Sequence, residues 1–194
     1  MQTQPSTPTF RGKDRLISAL DAAVSLHQPQ AITQALQHAL CQAIQDPDIA
    51  LPHCVQQPVE GRYARRELHR SPTLGYSVVA MCWGPGQGTP LHDHDAMWCV
   101  EGVWQGALQV TPYALLERHG DRCRFQARET LYGDTGSAGS LIPPHEYHTL
   151  RNASPDTVAV SVHVYQGPME RTTVFDPLDD GWYQPRVQAL DCDG

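Results

Sequence analysis

The sequence predicts a single, mostly β domain, a small barrel or sandwich, preceded by a helical hairpin. Three observations carry that expectation. Two apolar stripes at helical spacing occupy the first fifty positions. From about Glu60 onward, short apolar or alternating runs are separated by Gly, Pro, Asp and Asn. The length of 194 residues suits one domain that can bury a core without disulfide staples.

The first helix is expected to start at Asp14, read as its cap, with Leu16, Ile17, Leu20, Ala23 and Val24 on one face. Pro29 ends that run, and a second stripe follows through Ile32, Ala35, Leu36, Ala39, Leu40, Ala43 and Ile44. Together these form an N-terminal helical cap over 12–46, which Pro47 and Pro52 close. The β region spans 60–166, with strands expected at 76–83, 98–104, 108–116, 140–142, 147–150 and 158–165. The tail, 167–194, is rich in Pro, Gly and Asp and has few apolar anchors beyond Val174, Phe175, Leu178 and Trp182. It is expected to wrap the outside of the one domain, 1–194.

Composition excludes several functions. Fourteen basic and 21 acidic residues give a formal charge of −7, with no basic run, which argues against nucleic acid and anionic membrane surfaces. No apolar stretch approaches the ~20 residues that span a bilayer. Residues 1–5 lack the basic and apolar regions of a signal peptide, so a cytoplasmic protein with reduced thiols is expected. The six cysteines form no CxxC pair, which argues against a structural zinc knot. Ten histidines are many for this length.

Those histidines are informative where they cluster. In the stretch from Gly84 to His94, His92 and His94 stand at i and i+2, so on a strand both imidazoles face one side and can reach one ion. Gly86, five residues, His92-Asp-His94 and Gly106 twelve positions after His94 together resemble the first motif of the cupin superfamily. His148-Thr-Leu-Arg-Asn152, with Pro143 upstream, resembles the second. The slot where cupins commonly place a carboxylate ligand, seven residues before Gly106, is Cys99; Glu101 lies two residues beyond it. That cysteine, with Ser161-Val-His163-Val-Tyr165, Tyr63-Ala-Arg65 and Trp83-Gly84, resembles the cysteine dioxygenase family over roughly residues 63–165.

The resemblance implies a cupin fold and a non-haem Fe(2+) held by His92, His94 and His148. It implies an oxidoreductase that adds both atoms of O2 to the sulfur of L-cysteine to give cysteine sulfinate. Arg65 would bind the substrate carboxylate, for which a guanidinium fork is suited, and Tyr63 and Trp83 would line the substrate pocket. Ser161, His163 and Tyr165 would form a relay serving catalysis, and Cys99 would join Tyr165 in a thioether bond. Alternation independently places Ser161, His163 and Tyr165 on one strand face and Val160, Val162 and Val164 on the other. Three neutral imidazoles leave such an ion its full charge, which favours an anionic, soft ligand such as a thiolate.

Other readings remain on the same residues. A relative acting on 3-mercaptopropionate or another thiol acid would keep the chemistry, although Arg65 and Cys99 favour cysteine. A zinc or nickel cupin that is not a dioxygenase is a second alternative. Gln166-Gly-Pro168 departs from the family pattern, and Arg171 is a candidate second carboxylate contact. Arg66 and Arg70 read as surface arginines, His145 as a turn residue, and Cys41 and Cys82 as small buried apolar groups. Oligomeric state has no signature in the sequence.

Overall fold

The computed structural model describes residues 7–193; the stretch 1–5, expected to lack a signal peptide, lies outside the described residues. Two antiparallel helices, α1 (Lys13–Val24) and α2 (Pro29–Gln45), form the N-terminal hairpin. Asp14 is not the cap of α1. Gly12 occupies that position in the left-handed conformation (φ 78°), and Asp14 lies in the first turn, where its charge complements the helix dipole. Pro29 ends the first apolar run and opens α2, where its missing N–H costs nothing.

Among the described residues eleven strands follow: β1 (Ala64–Arg70), β2 (Ser77–Trp83), β3 (Cys99–Gln105), β4 (Ala107–His119), β5 (Arg122–Ala127), β6 (Leu131–Asp134), β7 (Ala138–Leu141), β8 (His148–Asn152), β9 (Ala159–Tyr165), β10 (Arg171–Pro177) and β11 (Trp182–Ala189). One antiparallel sheet has the order β1-β2-β9-β3-β7; the second has β10-β11-β5-β4-β6, with β8 also paired to β4. The tail is therefore more than an outer wrap. Its two strands pair along their whole length and extend the second sheet, with Val174 and Phe175 buried. Among the described residues no helix is long and apolar enough to cross a membrane.

The central strands of the first sheet, β2 and β9, are buried on both faces, and side chains of alternate parity go to opposite sides. Val78 and Ala80 of β2, Val100 of β3 and Val160, Val162 and Val164 of β9 pack outward against Leu16, Leu20, Leu36 and Leu40 of the helices. Burying each leucine contributes about 1.5–3 kcal/mol. Gly102 lets the hairpin sit close, because a Cβ there would lie 3.2 Å from Ile44 and 3.4 Å from Leu40. The opposite parity (Val79, Met81, Trp83, Cys99, Val103, Tyr165) faces the barrel interior.

Asn152 ties the barrel end together. Its buried amide donates to the carbonyls of Trp83 (3.0 Å), Gly84 (3.1 Å) and Thr157 (2.8 Å), joining the ends of β2 and β8 to the turn before β9. Because Leu36 is fully buried between hairpin and sheet, Leu36→Ala is expected to lower the stability of the fold by about 2–5 kcal/mol. Denaturant unfolding checks this; a loss below about 1 kcal/mol would mean the hairpin is not part of the cooperative core.

Candidate metal centre

The segment carrying His92 and His94 is not a regular strand. It runs as a bridging segment stitched between β8 and β10: the backbones of His92 and His148 exchange two hydrogen bonds (3.2 and 3.3 Å), and Phe175 N–H donates to the Leu91 carbonyl (2.8 Å). Asp93 points the other way and accepts from Thr173 N–H at 2.9 Å. The i, i+2 relation still holds, so both imidazoles turn to the same side.

His92, His94 and His148 converge, with one donor atom from each within 4.8 Å of the others, and all three residues are buried. Their ring centroids lie 4.6 to 5.2 Å apart. His92 Nδ1 donates to the Pro90 carbonyl at 3.0 Å, which leaves Nε2 with its lone pair. Among the described residues, His94 Nδ1 and both nitrogens of His148 are buried without a hydrogen-bond partner. Burial, and secondarily the neighbouring imidazoles, lower the pKa of His92 to about 3 and that of His148 well below its usual value. Three convergent imidazoles, each offering a ring nitrogen to one point, are the donor set of a metal site.

Glu146 was not singled out from the sequence, yet it is buried beside this cluster. Its carboxylate accepts the His94 backbone N–H at 2.9 Å and lies 3.7 Å from His94 Nδ1. It thus orients a histidine through its main chain. His145 is exposed, in the tight turn that it closes with Ile142.

On the interior face of β9, Ser161 Oγ meets His163 Nε2 at 2.7 Å and accepts the Trp83 indole N–H at 2.9 Å. The relay expected through Tyr165 is not a hydrogen bond. The His163 and Tyr165 rings are nearly parallel, with centroids 5.9 Å apart, and His163 Nδ1 is unpartnered among the described residues. Tyr165 is cross-strand partner to Cys99, and Glu101 to His163. Burial pushes the Cys99 thiol and the Tyr165 phenol well above their usual values; the tyrosine hydroxyl opposes the first effect only weakly. Burial also raises the Glu101 carboxyl to about 8.

Arg65 is 3 % exposed, with terminal nitrogens donating to the carbonyls of Asp191 (3.2 Å) and Met169 (3.0 Å) and Nε unpartnered. No carboxylate among the described residues pairs with its guanidinium. In the ladder Arg65 pairs with Met81 and Met81 with Ser161, which puts Arg65 in the same cross-strand row as the serine that meets His163. Tyr63 stacks on Trp83 at 4.6 Å. Arg66, read as a surface residue, is buried instead, with Nε and Nη1 unpartnered among the described residues; the first three residues of β1 are all buried, so its second arginine has no solvent side. Arg171 does not join the pocket: it is 65 % exposed and paired with Asp95 at 2.8 Å.

A model of the family "Cysteine dioxygenase type I" matches residues 60–177. The chain belongs to the cysteine dioxygenase type I family. Curated members are similar over 101 residues: the human and rat proteins "Cysteine dioxygenase type 1" at 26% identity, covering 52% of this chain and 50% of theirs, and the zebrafish protein at 28%. The chain spans about half the length of these relatives. Among solved structures, a protein from Klebsiella pneumoniae with a double-stranded β-helix domain superposes with TM-score 0.50 at 16% identity, over 67% of this chain and 93% of its own. The family's cupin fold is thus the fold of this chain.

Metal binding is expected to stabilise the folded state, by about 2.7 kcal/mol at a free divalent metal concentration of 100 times Kd. Thermal unfolding with and without metal checks this, and His148→Ala should abolish the shift; a shift surviving that change would place the metal elsewhere. The sign of the pH effect follows from His92. Its folded pKa of about 3 lies below the unfolded 6.5, so on acidification the unfolded chain takes the proton first, and stability falls between those values.

Proposed function

We propose that the protein is an iron(II)-dependent thiol dioxygenase that converts L-cysteine to cysteine sulfinate with both atoms of O2. The observation that carries this reading is a buried guanidinium without a carboxylate partner, Arg65, in the same cross-strand row as Ser161, in a barrel that also holds an all-histidine cluster. A buried unpaired cation is costly unless an anion joins it, and a substrate carboxylate completes it with charge-assisted hydrogen bonds. His92, His94 and His148 would hold the ion; when bound, ferrous iron supplies Lewis acidity toward sulfur and one-electron chemistry toward O2.

The chain's residues do the rest. Arg65 fixes the carboxylate end of the substrate, and the carbonyls of Met169 and Asp191 hold the guanidinium in place. Trp83, stacked by Tyr63, keeps that wall apolar and excludes water while anchoring Ser161. Buried Tyr165 keeps its phenolic proton, available as a hydrogen-bond donor at the cluster, since its ring lies 5.9 Å from that of His94. Cys99 lies opposite Tyr165 in the ladder, which supports a thioether between sulfur and ring. That bond removes the S–H and one ring C–H, two hydrogens and two electrons in all, with O2 as acceptor.

The test pairs metal analysis with initial rates of oxygen uptake on L-cysteine and on 3-mercaptopropionate. Iron with faster turnover of cysteine is expected; iron with no uptake on either thiol would contradict the reading. Arg65→Ala should keep its iron and raise KM for cysteine by the equivalent of about 1.5–3 kcal/mol, the range for a hydrogen bond to a charged group. Intact mass after turnover should show a fraction about two units light from loss of two hydrogens; full mass throughout would count against the crosslink.

A further inference from the structure

The interior face of β3 carries one polar group that the proposed chemistry leaves unused. Glu101 stands two residues beyond Cys99 on the same face, directly opposite His163 in the ladder. Its side chain is 11 % exposed, and Oε2 lies 3.4 Å from His163 Nδ1. Neither atom makes a hydrogen bond among the described residues. The carboxyl and Ser161 border a cavity of about 260 Å³ whose wall is otherwise largely apolar, including Leu108, Val110, Leu131 and Leu141. A buried carboxyl in such surroundings is costly, so its place opposite a histidine calls for a role.

The hydrogens along this row can be assigned. The Trp83 indole N–H only donates, and its acceptor is Ser161 Oγ. The Ser161 hydroxyl then places its own hydrogen on its other contact, His163 Nε2. The reverse arrangement, Nε2 donating to Oγ, would leave the Ser161 hydrogen without an acceptor among the described residues, so Nε2 is the acceptor and the proton of a neutral His163 belongs on Nδ1, the nitrogen that faces Glu101.

We propose that Glu101 is a positioning residue of the active site: it accepts the Nδ1–H of His163 and, with Ser161 on the far side, fixes the ring's tautomer and plane. The His163 ring lies nearly parallel to that of Tyr165, at 16°, so holding one ring holds the face against which the other rests beside Cys99. The row Trp83–Ser161–His163–Glu101 then runs across β2, β9 and β3, and Glu101 acts on the reaction through His163. This inference rests on the thiol dioxygenase reading of the same site.

The test uses the iron-loaded full chain with Glu101→Leu and Glu101→Gln. Glu101→Leu is expected to keep its iron, its cysteine KM and its Tm, while kcat falls roughly 10–100-fold, the range for losing an orienting partner. Glu101→Gln, whose amide oxygen can accept the same bond, should restore most of that kcat. A leucine variant with the parent's kcat, one whose activity falls only with its iron or Tm, or a glutamine variant no better than leucine would each overturn the proposal. A second readout needs no turnover: ¹⁵N spectra of the histidine rings in the zinc-loaded chain, with His163 assigned through His163→Gln. The parent should show the Nδ1–H tautomer and Glu101→Leu should alter it; an Nε2–H tautomer in the parent would overturn the assignment. Absence of thiol oxidation by the parent, with the expected tautomer, would instead fail the dioxygenase reading alone.

Discussion

The antiparallel pairing of β3 with β9 is the constraint on which the rest of the site depends. Its register sets Cys99 against Tyr165, Glu101 against His163 and Val103 against Ser161. The same pairing turns Val100, Val162 and Val164 outward onto the helical hairpin. A slip of one residue would exchange the two faces. Valines would then enter the barrel, and the thiol, imidazole and phenol would press against leucines. The apolar contact between sheet and helices therefore protects the chemistry of the opposite face, and the hairpin stabilises a register as well as a core.

Charge is arranged with the same economy. The chain as a whole is acidic, yet around the cluster burial favours the neutral forms of His92, His148, Cys99 and Tyr165, with the cation Arg65 and the carboxyl group of Glu146 buried nearby. Burial shifts His92, His148, Cys99 and Tyr165 each toward its uncharged form, because a low-dielectric interior penalises charge of either sign. In the proposed reaction a divalent cation and an anionic substrate would bring further charge to this interior. The Leu91–Asp93 segment, tied to β8 and β10 by its main chain, holds His92 and His94 in place without asking those side chains to support the fold.

How much of this was legible in the sequence follows from which rules each segment obeys. β9 follows plain alternation, so both its faces could be read, while β2 announces itself as a continuous apolar run whose two faces only its partners separate. The helices likewise announce themselves by spacing and by Pro29. β1 could not be found, because Ala-Arg-Arg-Glu-Leu-His-Arg looks solvated while two of its arginines are buried. The tail strands are punctuated by Pro and Asp, and only pairing between them reveals β10 and β11. The three clustered histidines were visible through motif spacing across fifty-odd positions, even though His92 and His94 lie on a stitched segment and not on a regular strand. Glu101 shares the parity of Cys99, a signal that was present, but it reads as a solvated carboxylate until the strand opposite is known. Glu146 acts through a backbone N–H, which no pattern of side chains encodes.

The most direct test of the central claim is the origin of the product's oxygen atoms. Turnover of L-cysteine by the iron-loaded protein under ¹⁸O₂ in ordinary water should give cysteine sulfinate about four mass units heavier than under ¹⁶O₂, with both labels from one molecule of gas. A sulfinate carrying a single label, or cystine as the sole product, would contradict a dioxygenase and leave the histidine cluster with another task.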